Sequence, residues 1–216
     1  MNGNLTELVF ILDRSGSMAG LEADTIGGFN AMVEKQKKED GQALLSAVLF
    51  SNDSSVLYDR TDVCKVEPMT ERQYFVGGCT ALLDAIGDAV HHIANVHKYA
   101  REEDRPAKTV FVITTDGMEN ASRRYTYEAV KRMIERQRER YGWEFLFLGA
   151  NMDAISAARR FGIREDRAVR YACDAKGTAL NYKVVGETIS RVRCGRPIEA
   201  DWKAEIEEDY EQRGNH

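Results

Sequence analysis

Residues 7–13, Glu-Leu-Val-Phe-Ile-Leu-Asp, form an unbroken apolar run that ends in a carboxylate. The run is too short for a helix and leaves no polar face for water. It therefore predicts a central strand covered on both faces of a sheet. Residues 43–50, 109–115 and 143–148 repeat this character. Segments of helical spacing lie between them. Ile26, Phe29, Met32 and Val33 share one face of residues 21–38, and Leu82, Leu83, Ile86, Val90 and Ile93 share one face of the helix that follows Thr80.

The remaining elements continue the alternation. Thr126 can cap a helix carrying Val130, Met133, Ile134 and Gln137. Residues 153–161 predict a short helix closed by Gly162, residues 168–171 a short sixth strand, and residues 178–192 a last amphipathic helix. Residues 56–61 are more polar, and only Ser51-Asn52-Asp53-Ser54-Ser55 separates them from the strand before. So short a connection permits a hairpin, which makes this strand an antiparallel edge. The pattern specifies an α/β fold: a doubly wound, Rossmann-like sheet, mostly parallel with one antiparallel edge strand, and helices on both faces.

A chain of 216 residues accommodates one such domain, placed at residues 1–193, and a charged tail at residues 194–216. In the tail Ile198, Trp202, Ile206 and Tyr210 recur every four residues, one stripe of a helix. That stripe suits a packed or frayed terminus. The net charge of −5 argues against a nucleic-acid binder, which needs a basic footprint. Residues 131–140 are locally basic but are broken by Glu135 and Glu139, as on a solvated helix face. No stretch reaches the apolar length of a membrane helix. Met1-Asn2-Gly3-Asn4 is polar and runs straight into a strand without the regions of an export signal, so a cytoplasmic location is expected. Cys64, Cys79, Cys173 and Cys194 form no C-x-x-C pair, and are expected to be reduced and mostly buried. His91, His92 and His97 share a helix without the i, i+4 spacing of a zinc pair, and Gly77-Gly78 lacks the rest of a phosphate loop.

Chemistry concentrates in three loops on one predicted edge of the sheet. Asp13-Arg14-Ser15-Gly16-Ser17 follows the first strand, Gly78-Cys79-Thr80 opens the long helix, and Thr115-Asp116-Gly117 follows the fourth strand. In an open α/β sheet, ligands sit outside the carboxyl ends of strands where the strand order reverses. Asp13, Ser15, Ser17, Thr80 and Asp116 supply two carboxylates and three hydroxyls, all oxygen donors suited to a hard divalent cation. Two anionic donors roughly balance such an ion and leave it electrophilic toward an anionic oxygen from outside. That is a chemistry of recognition.

Asp13-x-Ser15-x-Ser17 with the later Thr80 and Asp116 resembles the metal-ion-dependent adhesion site of von Willebrand factor A domains. Gly77-Gly78-Cys79-Thr80 is similar to that family's threonine loop, and Thr114-Thr115-Asp116-Gly117 to its strand-ending pattern. The resemblance covers roughly residues 8–192. It implies a bound divalent cation, Mg²⁺ first and Mn²⁺ or Ca²⁺ otherwise, and metal-bridged binding of an Asp or Glu of a protein partner. It implies further that Ser15 and Ser17 touch the metal, that Thr80 does so in the ligand-competent state, and that Asp13 and Asp116 act mainly through water. Intracellular bacterial members of that family often serve as adaptors, some in assemblies with ATPases, and the family's last helix, here residues 178–192, can shift with the metal site. Arg14 is read as an outward side chain that could select acidic partners, and Cys79 as a small filler.

Two other functions fit less of the sequence. A haloacid dehalogenase-type phosphoryl-transfer enzyme also places an aspartate after its first strand, but its pattern has a second aspartate where Ser15 stands. A metal-free scaffold would bind through the tail helix, with Trp202 as an aromatic anchor.

Overall fold

The computed structural model describes residues 2–150 and 153–214. Its strands are β1 (Asn2–Asp13), β2 (Gln42–Phe50), β3 (Ser54–Asp62), β4 (Pro106–Thr115), β5 (Glu144–Ala150) and β6 (Ala168–Tyr171). They form a six-stranded sheet in the order β3-β2-β1-β4-β5-β6. All neighbours are parallel except β3, which runs antiparallel to β2 at the edge, as the short connection requires.

The period of two along β1 assigns its side chains to opposite layers. Leu8, Phe10 and Leu12 pack in one core with Phe29, Met32 and Val33 of α1 (Glu22–Gln36) and Val184, Val185 and Ile189 of α5 (Ala175–Arg193). Val9 and Ile11 face the other core, with Ile86 and Val90 of α2 (Leu82–Tyr99), Val130 and Ile134 of α3 (Tyr127–Tyr141), and Ala154 and Ala158 of α4 (Ala154–Arg160). Phe10 and Ile11 are fully buried. Each contributes roughly 1.5–3 kcal/mol relative to an exposed side chain, which makes the central strand a rigid mount for the loop at its carboxyl end. The doubly wound α/β architecture expected from the sequence is the one observed.

Local chemistry sets the helix ends. Thr126 Oγ1 accepts from the Ala129 amide, and Asp153 Oδ1 from the Ser156 amide. Asp174 Oδ1 accepts from the Gly177 amide and starts α5 at Ala175, three residues before its apolar periodicity becomes visible. Helix α6 (Ala204–Gly214) lies against β6 and α5. Ile198, Trp202 and Ile206 are buried in the α1/α5 core, and Trp202 Nε1 donates to the Asp166 carbonyl at 2.8 Å. Three of the four residues of the stripe that a scaffold would present to a partner are thus packed inside, and Tyr210 is half-buried.

One feature departs from sequence expectation, and a second adds a contact outside it. Cys64, Cys79 and Cys194 are exposed and Cys173 is half-buried, with no disulfide among the described residues. They stand in connections or just past a helix end, so residue type alone misplaces them. Glu7 is fully buried on β1, where Arg60 Nε and Nη2 donate to its carboxylate at 2.9 Å and His97 Nε2 lies 3.1 Å away. Arg60 reaches it from a bulge in β3, at a positive φ of 46° that side chains rarely adopt. No described helix is long and apolar enough to cross a membrane.

Candidate metal centre

β1 and β4 lie side by side, and the chain leaves them toward opposite faces of the sheet. Their carboxyl ends open the crevice where an α/β sheet binds ligands. Asp13 closes β1, Thr115 closes β4, and Asp116 is the next residue.

Burial and hydrogen bonds bring four of the predicted site residues into one chain of contacts. Asp13 Oδ1 accepts from the Ser15 amide at 2.7 Å, turning the backbone back on itself. The Ser15 and Ser17 hydroxyl oxygens are 3.1 Å apart, and Ser17 Oγ donates to Asp116 Oδ1 at 2.6 Å. Asp13, Ser15 and Asp116 are at most 4% exposed, while Ser17 stands open to solvent. Neither serine caps a helix. Ser15 precedes a single 3₁₀ turn without a side-chain cap bond, and α1 starts only at Glu22.

Thr80, also predicted, is buried and arrives from the other side. A methyl group on Gly117 would sit 3.2 Å from Thr80 Oγ1 and 3.5 Å from Ser17 Oγ. The glycine therefore marks the narrow space between those two hydroxyls. The threonine loop is pinned to the loop after β1 by two backbone bonds. The Gly16 amide donates to the Gly78 carbonyl at 3.0 Å, and the Gly77 amide to the Arg14 carbonyl at 2.9 Å. Gly78 takes a positive φ of 81°, which a residue with a Cβ adopts only under strain.

The donor set fits a hard divalent ion. In near-octahedral coordination at about 2.1 Å, adjacent ligand oxygens lie about 3 Å apart. The Ser15–Ser17 separation of 3.1 Å matches that spacing. No cluster of three or more His, Cys, Asp or Glu side chains capable of holding a metal occurs among the described residues. A cation here would rely on hydroxyls beside two carboxylates. Burial raises the pKa of Asp13 above the ordinary value of 3.8, against the bonds from Ser15 and Thr115, and the nearby Asp116 adds to the rise. Burial raises Asp116 likewise, against the bonds from Ser17 and Cys173. At both carboxylates burial outweighs the hydrogen bonds, and a positive charge beside them would offset it.

No protein-family model matches the chain, and no curated protein matches it. Solved structures do. Proximal thread matrix protein 1 from the mussel byssus, with a zinc-occupied MIDAS motif, superposes with a TM-score of 0.59 at 14% identity, over 88% of this chain and 47% of that one. The von Willebrand factor domain of the type V pili tip protein Mfa5 from Porphyromonas gingivalis gives 0.61 at 11% identity, over 85% of this chain and 94% of that one. The ArnB paralog VWA2 from Sulfolobus acidocaldarius gives 0.51 at 19% identity, over 87% and 45%. The fold is that of a von Willebrand factor A domain. The chain spans about half the length of the mussel protein, 47%.

On this von Willebrand factor A fold, several residues that position the site escape sequence reasoning. Thr115 Oγ1 donates to Asp13 Oδ2 at 2.6 Å and orients that carboxylate. Tyr74 Oη donates to the Asp13 carbonyl at 2.5 Å from beneath. Asn120 Oδ1 accepts from the Thr80 amide at 2.9 Å, and the Asn120 amide donates to the Thr80 carbonyl at 3.1 Å, tying the threonine loop to the loop after β4. Thr115 sits inside the Thr114-Thr115-Asp116-Gly117 pattern, but its role needs the β1–β4 pairing. Tyr74 and Asn120 lie in irregular segments and carry no periodic signal. Arg14 corrects an expectation. It is only 9% exposed, its guanidinium lies 4.8 Å from the Phe75 ring centroid, and Asp53 is 3.9 Å away. Cys79 is exposed rather than a filler, and its amide donates to Asn52 Oδ1 at 2.7 Å.

Proposed function

We propose that the chain is a divalent-metal-dependent protein-binding module that engages an acidic residue of a partner through the bound ion. The convergence of Asp13, Ser15, Ser17 and Asp116 in one chain of hydrogen bonds, with Thr80 beside Ser17 across Gly117, carries this reading. Ser15, Ser17 and Thr80 would hold the ion directly, and Asp13 and Asp116 mainly through water. The ion supplies an electrophilic position for a carboxylate oxygen of the partner, with Mg²⁺ favoured and Mn²⁺ or Ca²⁺ as substitutes. Around it the chain's own residues do the positioning. Thr115 and the Ser15 amide orient Asp13, and Asn120 holds the loop that carries Thr80.

The rim supports a protein ligand. Met118, 70% exposed, follows the Asp116-Gly117 turn, and Phe75, 60% exposed, lies under Arg14. Apolar side chains around a polar anchor are the usual makeup of a binding hot spot. A role as a non-enzymatic adaptor in a larger assembly, including one with an ATPase, is proposed from the family resemblance. Recognition is favoured over phosphoryl transfer because Ser15 stands where a phosphatase of the haloacid dehalogenase type has its second carboxylate.

Calorimetric titration of Mg²⁺ and Mn²⁺ into wild type, Asp13→Ala and Ser17→Ala tests the proposal. Binding by wild type that both substitutions abolish is expected. Equal binding by all three proteins, or none by wild type, would remove it.

A further inference from the structure

A groove of about 900 Å³ lies at the opposite end of the sheet from the metal centre. It is bounded by the last turns of α2 and α3, the start of β4 and the turn into β5. Its volume is that of a small-molecule pocket. Lys98, Arg105, Arg136 and Arg140 line it, and no Asp or Glu does, in a chain whose net charge is −5. None of these four has an ion-pair partner among the described residues. Lys98 lies over the Tyr99 ring, and Arg105 donates one bond to the Ala100 carbonyl while its Nε stays unpaired. Lys98 and Arg140 also answer the negative ends of α2 and α3. Arg105 lies outside any helix and Arg136 more than a turn from the end of α3, so the helix dipoles do not account for them.

The floor gives a second, independent indication. Thr109, Gln137 and Trp143 are more than nine-tenths buried and line the groove. Their side-chain polar groups have no hydrogen-bond partner among the described residues, yet they are not sealed from solvent. All three can donate, and the Trp143 indole can only donate. Beside them Val90, Ala94 and Met133 supply an apolar surface. Unused donors beside an apolar surface, under a rim whose charged side chains are all cationic, match an acceptor-rich anion on a flat apolar body.

We infer that this groove binds a small organic anion, its carboxylate, sulfonate or phosphate held by Arg105, Arg136 and Arg140 and its apolar body seated over Met133 and Trp143. The site is separate from the metal centre and does not depend on it.

The chain has two tryptophans, so nitrogen–proton correlation spectra contain two indole signals. Trp202 already donates to Asp166 and serves as the internal control. Titration with naphthoate or ADP should move the Trp143 signal to saturation and leave Trp202 in place, whereas adenosine should not. Arg136→Glu with Arg140→Glu changes exposed side chains. It should weaken binding roughly tenfold or more, the value of hydrogen bonds to a charged group. A spectrum otherwise like wild type establishes that this variant is folded. Asp13→Ala should bind both probes normally, which separates this site from the metal proposal. Failure of both anions to move Trp143, an equal shift with adenosine, or undiminished binding in the charge-reversed variant would overturn the assignment. A shift produced only by a glutamate-rich peptide would overturn it in favour of an acidic protein segment.

Discussion

Asp13 and Asp84 are both buried carboxylates near the proposed metal centre, and they respond to pH in opposite senses. Burial raises the folded-state pKa of Asp13 and Asp116 above 3.8. In the metal-free protein the folded state then holds more protons than the unfolded chain as pH rises from 3.8 through those raised values. Stability falls across that window. A cation reverses the loss, so stabilisation by Mg²⁺ should grow from acidic to neutral pH, reaching about 2.7 kcal/mol at a hundredfold excess over Kd. Thermal unfolding with Mg²⁺ and with chelator checks this, and a metal effect that did not change with pH would contradict it. For Asp84, burial alone would raise the pKa. The amides of Arg123, Tyr125 and Arg124, with the Arg124 charge, outweigh it and hold the carboxyl below 3.8. Its stabilisation is present above 3.8 and is lost as pH falls through the folded value. Asp84→Ala should cost about 1–3 kcal/mol in denaturant unfolding at neutral pH, since it leaves three amides without their acceptor. Gly117→Ala places a methyl 3.2 Å from Thr80 Oγ1. It should weaken Mn²⁺ binding while leaving the unfolding midpoint in chelator nearly unchanged.

At the scale of elements, the helices and strands near the site are held by side chains as well as by the sheet. Glu119 accepts from the Leu83 amide with one carboxylate oxygen and from the Ala121 and Ser122 amides with the other, joining the loop after β4 to the first turn of α2. The far end of β1 is held by the Glu7–Arg60–His97 contact. Arg60→Ala leaves Glu7 buried without its cation and should cost about 3 kcal/mol by chemical denaturation, with metal affinity unchanged. The segment leading into α6 is anchored in the α1/α5 core by Ile198 and Trp202, and α6 itself by Ile206. Trp202→Ala should destabilise by about 3–5 kcal/mol, and a loss under 1 kcal/mol would show that the tail is peripheral. Much of this level was legible in the sequence. The apolar runs located β1, β2, β4 and β5, because a strand buried on both faces has no polar period to obscure it. The short turn at residues 51–55 located β3 as an antiparallel edge. The start of α5 and the cation that pairs with Glu7 were not legible, since one depends on a cap outside the apolar pattern and the other lies 53 residues away.

For the whole molecule, the doubly wound sheet carries two chemically different ends. The carboxyl edge gathers hydroxyls and carboxylates, and the amino edge gathers cations without an ion-pair partner among the described residues around a floor of mixed polar and apolar side chains. The first was legible because loops that follow strands in a parallel sheet must share an edge, so Asp13, Ser15, Ser17, Thr80 and Asp116 could be grouped before their distances were known. The second was not. Lys98, Arg105 and Arg140 are spread along the chain, and residues 131–140 read alone as a solvated helix face. The supports of the first site, Tyr74 and Asn120, were hidden for the same reason, being brought in by irregular segments.

The central claim is tested most directly by anomalous diffraction from crystals grown with Mn²⁺. A single strong peak should lie about 2.1–2.2 Å from the hydroxyl oxygens of Ser15 and Ser17, with Thr80, Asp13 and Asp116 around it. No peak at that point, or a peak elsewhere with these five side chains unengaged, would contradict the account.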